Sequence, residues 1–183
     1  MNYEIHDTES APEAAKPTLT AAQQAYGFLP NLLGVMAEAP ALLKGYATLS
    51  KIFEESSFTP AERQVVLLTT SYTNECGYCM AAHSAIAGMQ KVPQEVIGAL
   101  RDGAPIGDGK LEALRKFTAS VVTTRGWPSQ ADLNAFLGAG YGRAQVLEVV
   151  LGVGIKTLSN YANHIAETPL DAAFKPLAWT KAS

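Results

Sequence analysis

The stretch Phe58–Asn74, "FTPAERQVVLLTTSYTN", decides the fold class. Its centre, "VVLLTT" at 65–70, is rich in β-branched residues and on local preference alone would serve as a strand. Its opening points the other way. Thr59 suits a helix N-cap, and Pro60 the first helical position, where its missing N–H costs nothing. Glu62 stands at the third position and can close a capping box. A helix is therefore expected from Pro60 onward.

The surroundings agree. Upstream, "PALLKGYATLSKIFEES" spaces Leu42, Leu43, Tyr46, Leu49 and Phe53 at helical intervals, and "LPNLLGVMAEAP" is bounded by Pro30 and Pro40. "TLTAAQQAYGF" is expected to start a helix at Thr18 or Thr20. Downstream, "GYCMAAHSAIAGMQK" and "PQEVIGALRDG" read as helices, as do "DGKLEALRKFTASVVTTRG" capped by Asp108 and "PSQADLNAFLGAG" starting at Ser129. The long "GRAQVLEVVLGVGIKTLSNYANHIAET" is apolar enough for a central helix, with Gly152 and Gly154 allowing close contact. Nothing alternates with period two, so the fold class is all-α. The βαβ setting of a thioredoxin-type C-x-x-C is absent.

A chain of 183 residues supports one core. The expected layout is a polar arm at 1–17, a helical domain at 18–171 and a tail at 172–183. With 14 basic and 17 acidic residues the net charge is −3, which makes no electrostatic case for nucleic acid or a membrane surface. No segment has the length and hydropathy of a membrane span, and the first twenty residues do not look like a secretory signal. Two cysteines spaced C-x-x-C without such a signal point to the cytoplasm, where a disulfide is a working one.

Both cysteines lie in "TNECGYCMAAH", Thr73–His83. On a helix, Cys76, Cys79 and His83 share one stripe. With Asn74 or Thr73 as N-cap, Cys76 would fall in the first turn, where free amides stabilise a thiolate, and His83 would stand one turn beyond Cys79 as base or counter-charge. Such a dithiol suits peroxide chemistry, one thiolate becoming a sulfenic acid and its neighbour condensing with it. Two other readings stand beside it: half of a zinc site, to be completed by His83, His164 or an acid, and a pair of inert buried thiols. No metal or cofactor is expected. Tyr78 and Tyr72 are candidates for lining the site, with packing the plainer reading of each. His164 reads as a solvated or core-satisfied histidine, and His6, in the arm, as unimportant.

"CGYCMAAH" preceded by "FTPAERQVVLLTTSYTNE" resembles the core motif of the AhpD-like alkylhydroperoxidases in the carboxymuconolactone decarboxylase superfamily. "YGFLPNLLGVMAEAPALLKGY" and "AQVLEVVLGVGIKTLSNYANHIAETPLD" extend the likeness to its peroxidase-related branch, over most of 19–171. The resemblance implies an all-helical homo-oligomer, trimeric or hexameric, that reduces hydrogen peroxide or organic hydroperoxides. By the same resemblance Cys79 would be oxidised, Cys76 would donate a proton and then resolve the sulfenic acid as a disulfide, and His83 would relay protons. The electron donor would be a dithiol, a lipoyl group on a partner protein or a thioredoxin-like protein.

One position departs from the family pattern. The relay glutamate belongs twelve residues before the first cysteine, and Gln64 stands there. Glutamine can orient an imidazole but cannot accept a proton. Glu62 lies roughly 200° around the helix and should not replace it. Glu75, next to Cys76, would raise that thiol's pKa. A slower peroxidase or a related thiol activity is therefore expected. The alternatives are a lactone-type decarboxylase, which needs no dithiol, and a non-enzymatic redox sensor or binding protein.

Overall fold

The computed structural model describes residues 3–181. Among them the regular structure is helical throughout, and no strand occurs. The helices are α1 (Lys16–Tyr26), α2 (Asn31–Met36), α3 (Pro40–Glu54), α4 (Pro60–Thr73), α5 (Gly77–Met89), α6 (Gln94–Asp102), α7 (Gly109–Thr123), α8 (Gln130–Gly138) and α9 (Arg143–Ala166). A 3-10 helix, Ala172–Leu177, follows.

The ambiguous run is helix α4, and its capping box is complete. The Glu62 N–H donates to Thr59 Oγ1 at 3.3 Å, and the Thr59 N–H donates to Glu62 Oε2 at 2.8 Å. From Gln64 to Ser71 every residue is buried, because α4 is the rod against which α5, α7 and α9 all pack. A helix covered on every side has no polar stripe, and its sequence then looks like a buried strand. The hydroxyls of Thr70, Ser71 and Thr73 donate to the carbonyls of Val66, Leu67 and Thr69, each at 2.8 Å, so these three are satisfied within the helix, whereas the buried Thr69 hydroxyl has no partner.

Helix α9, expected to be central, packs against α2, α3, α4, α5 and α7, but unlike α4 it is covered on one face only. Helix α9 turns Val149, Gly152 and Ile155 inward and leaves Leu147, Val150, Tyr161 and Ile165 exposed. Gly152 is the point of close approach: a Cβ there would lie 2.6 Å from Val66 Cγ1 and 2.9 Å from Phe53 Cζ. Gly154 faces open space.

Two apolar cores flank α4. One holds the stacked rings of Phe117, Phe136 and Tyr141, with centroids 4.5 and 4.4 Å apart. The other gathers Leu19, Leu33, Met36, Leu43 and Phe174 around the two cysteines. Helix α1 starts at Lys16 with Ala15 as N-cap, ahead of Thr18 and Thr20, because Pro17 is accommodated in its first turn. The preceding arm lies on its own chain. His6 is buried, its Nε2 is 2.8 Å from Glu38 Oε2, and its N–H donates to the Gly34 carbonyl at 3.2 Å, so the residue expected to be unimportant clamps the arm to α2. Beyond the 3-10 helix, Trp179 donates from Nε1 to the Arg101 carbonyl at 2.7 Å. Among the described residues no helix is long and apolar enough to cross a membrane.

Candidate functional site

The cysteines sit at the joint between α4 and α5, and backbone hydrogen bonds shape that joint. Asn74 ends α4, Glu75 takes the left-handed conformation at φ 56°, and two bonds close a Schellman motif. They run from the Glu75 N–H to the Tyr72 carbonyl at 3.1 Å and from the Cys76 N–H to the Ser71 carbonyl at 2.9 Å. Cys76 is consequently the N-cap residue of α5, in extended conformation, and Asn74 and Thr73 belong to the end of α4. The first-turn position expected for Cys76 falls to Cys79, two residues into the helix. Glu75 points to solvent and pairs with Lys181 at 3.0 Å.

Helix α9 lays a polar stripe against the dithiol. Lys156, Ser159, Asn160 and Asn163 recur at helical spacing and all four are buried. Asn163 Nδ2 donates to Cys79 Sγ at 3.3 Å and lies 3.9 Å from Cys76 Sγ, while Ser159 Oγ is 3.7 Å from Cys79 Sγ. Lys156 is 1% exposed, and among the described residues no carboxylate lies within ion-pair distance of it. None of these residues was singled out in the sequence. The signal that could have found them is four polar residues on one face of an otherwise apolar helix, at 156, 159, 160 and 163.

The two thiols are driven apart in acidity. Burial pushes the Cys79 thiol up, but the hydrogen bond from Cys76, the Lys156 charge and contacts with Ser159 and Lys156 outweigh it and hold Cys79 well below the ordinary thiol range. Cys76 is pushed far up, first by its hydrogen bond to the Cys79 sulfur, then by burial and the Cys79 charge. The anion that raises Cys76 is thus Cys79 and not Glu75. Lys156 is raised: burial works against its charge, and the influence of the neighbouring acidic groups, Cys79 first, outweighs it. The arrangement favours ionisation of Cys79 over Cys76, with the Lys156 charge favouring the Cys79 anion.

His83 faces the same cavity as Cys79, and no hydrogen bond joins it to either sulfur among the described residues. Its Nδ1 is 3.1 Å from Gln64 Oε1, and Gln64 Nε2 donates to Gln90 Oε1 at 3.1 Å. The Gln90 bond orients the Gln64 amide, so the imidazole carries its proton on Nδ1 and leaves Nε2 as an acceptor. Burial, then the Lys156 charge, holds the His83 pKa well below the usual histidine range, and the ring is neutral. Gln64 therefore orients the imidazole. Glu62 stays in its capping box, 3.3 Å from Lys110.

Tyr78 lines the site and anchors it. Its hydroxyl accepts from the Leu32 N–H at 3.2 Å and bonds Asp171, whose other oxygen accepts from the Asn31 N–H at 3.0 Å. Tyr72 turns away to pack at a 60° tilt against Trp179, with centroids 5.6 Å apart, and is absent from the cavity wall. His164 is exposed near the end of α9. Among the described residues no three His, Cys, Asp or Glu side chains converge, so a zinc reading of the motif finds two sulfurs and no third ligand. Above Cys79, Lys156 and His83 opens a cavity of about 520 Å³, walled by Phe28, Leu32, Leu33, Phe53, Ile86 and Phe174.

Comparisons with known proteins bear on this arrangement. The model of the carboxymuconolactone decarboxylase family matches residues 37–120, which hold the Gln64, Cys76, Cys79 and His83 segment. An uncharacterized peroxidase-related protein from Ralstonia eutropha JMP134, described as an alkylhydroperoxidase AhpD core, superposes with a TM-score of 0.84 at 20% identity, over 94% of this chain and 93% of that one. A peroxidase-related protein from Silicibacter sp. TM1040 gives 0.78 at 19% identity, over 95% and 92%. The debrominase Bmp8 in complex with 2,3,4-tribromopyrrole gives 0.80 at 17% identity, over 96% and 94%. No curated protein matches the chain in sequence. Residues 37–120 thus resemble the carboxymuconolactone decarboxylase family, and the chain shares the all-helical AhpD-like fold of these neighbours.

Proposed function

We propose that the protein is a thiol-dependent peroxidase acting on organic hydroperoxides and hydrogen peroxide through a Cys76–Cys79 dithiol/disulfide cycle. The observation that carries this reading is a buried dithiol bridged by the Asn163 amide, whose Cys79 sits in the wall of an apolar cavity beside Lys156 and His83. The thiolate attacks the hydroxyl-bearing oxygen of the peroxide, the O–O bond breaks, and an alkoxide leaves while Cys79 becomes a sulfenic acid. The Cys76 sulfur then displaces that hydroxyl, forming the S–S bond and releasing water. An external dithiol, lipoyl or thioredoxin-like, returns two electrons by thiol–disulfide exchange. At about 520 Å³ the cavity is in the range of organic ligand sites and far exceeds the roughly 30 Å³ share of one water molecule. This favours a peroxide with an apolar body. Treating the reduced protein with one equivalent of cumene hydroperoxide and counting free thiols by mass spectrometry tests the reading. Loss of both thiols to one intramolecular disulfide is expected, and two surviving thiols would end it.

A second reading draws on the same cavity. The fold is shared with a debrominase solved with a brominated pyrrole, and the apolar walls over a reducing dithiol would also hold a flat halogenated ring. Two electrons from the dithiol would replace bromine by hydrogen and release bromide, leaving the same disulfide. Bromide release from 2,3,4-tribromopyrrole by the reduced protein separates the two.

A further inference from the structure

The peroxidase cycle leaves one proton unassigned. A hydroperoxide, one thiolate and one thiol contain two transferable hydrogens, whereas an alcohol and a water contain three. Forming the disulfide therefore consumes exactly one proton from outside the dithiol, whichever oxygen receives it. Gln64 has none to give, and His83 is neutral with its only N–H bonded to Gln64. Resting on the peroxidase reading, we propose that Lys156 is the missing catalytic acid: its ammonium pairs with the Cys79 thiolate in the reduced protein and delivers the third proton to the departing alkoxide as Cys79 becomes the sulfenic acid.

Geometry carries this. Lys156 is buried on α9, lines the same cavity as Cys79, and has no carboxylate within ion-pair distance among the described residues. Of the acidic groups acting on Lys156, Cys79 is the strongest, ahead of Tyr46 and Cys76. The other titratable groups facing the pair are Cys76 at the α4–α5 joint, His83 on α5 and Tyr46 on α3, whose phenol burial keeps protonated; Glu54, Arg63, Tyr26 and Tyr78 line the cavity as well. When Cys79 becomes a sulfenic acid its negative charge leaves on the alkoxide, and a buried ammonium with no partner is costly. Losing the proton at that moment keeps the site neutral throughout. Reduction by a dithiol restores the Cys79 thiolate and with it the Lys156 proton. This chain accordingly holds its site charge in an ion pair, at a place where Gln64 removes the carboxylate of a relay.

Three measurements test the assignment. In a Cys76→Ser background, Cys79 is the sole thiol, and its alkylation by iodoacetamide is followed against pH. Lys156→Met and Lys156→Gln should move the midpoint upward toward or beyond the ordinary value of about 8.5, and Lys156→Arg should keep it depressed. Single-turnover oxidation by cumene hydroperoxide with Cys76 present should slow about 100-fold or more in all three, because a guanidinium holds its proton. Wild-type protein in weak buffer at neutral pH should take up no proton as the disulfide forms. An unshifted midpoint in both neutral variants, wild-type oxidation rates in Lys156→Arg, or uptake of one proton per disulfide each overturn the proposal. Wild-type thiols that survive peroxide overturn the peroxidase reading and the proton delivery with it, while the alkylation profile, read without peroxide, still decides whether Lys156 ionises Cys79.

Discussion

Cys76 and Cys79 stand one helical turn apart, and their surroundings drive their acidities in opposite directions. Cys79 is approached by Asn163 at 3.3 Å and Ser159 at 3.7 Å from α9, whereas Asn163 lies 3.9 Å from Cys76. Cys79→Ser is expected to abolish peroxide turnover, and Cys76→Ser to stop the cycle at a sulfenic acid that dimedone traps on Cys79, as intact mass reports. A second residue-scale outcome concerns His83. Its folded pKa lies below its unfolded value of about 6.5, so the unfolded chain binds the proton first. The stability this group contributes is complete above about pH 6.5 and is lost as pH falls from there through the folded pKa. Denaturant midpoints measured across that range should decline toward acid, and His83→Gln should flatten the decline.

Among elements, the α9–α4 crossing and the α5 anchor set the site's position. Gly152→Ala would drive a methyl into Val66, a stiff β-branched side chain in the middle of the core, and into Phe53. A loss of about 1–3 kcal/mol is expected from overpacking in urea unfolding. If the variant proves as stable as the wild type, α9 does not lie that close to α4. Tyr78→Phe removes the hydroxyl shared by the Leu32 N–H and Asp171, which ties α5 to α2 and to the start of the 3-10 helix. Leaving those groups unpartnered should cost about 1–3 kcal/mol, read in the same way. It should also loosen the Phe174 wall of the cavity, seen as a raised KM for a bulky hydroperoxide.

At the scale of the whole molecule, the fold leaves bare an apolar line along α9, with Leu147 71%, Val150 51%, Tyr161 54% and Ile165 67% exposed. A homo-oligomer of the kind the family resemblance implies would bury such a line. Light scattering of the wild type is expected to give more than one copy, and Ile165→Lys with Leu147→Lys to shift it toward the monomer. An unchanged mass would remove α9 from the subunit contact.

Much of this protein could be read without coordinates, and the readable part was local. Thr59, Pro60 and Glu62 announce the start of α4 because capping is settled within one turn, and Asp108 and Ser129 do the same for α7 and α8. The spacing of Cys76, Cys79 and His83 follows from helical periodicity alone. What the sequence did not disclose depends on residues distant along the chain. Cys76 became a cap through a Schellman closure after α4, and Cys79 took the first-turn position in its place. Lys156 reads as an ordinary surface charge until α9 is laid across α4, where it meets Cys79 from nearly eighty residues away. Chain-local hydrogen bonding is written in neighbouring residues, whereas the burial and opposing charge that tune a thiol are properties of packed helices, and only the tertiary structure decided which sulfur they favour as the more acidic.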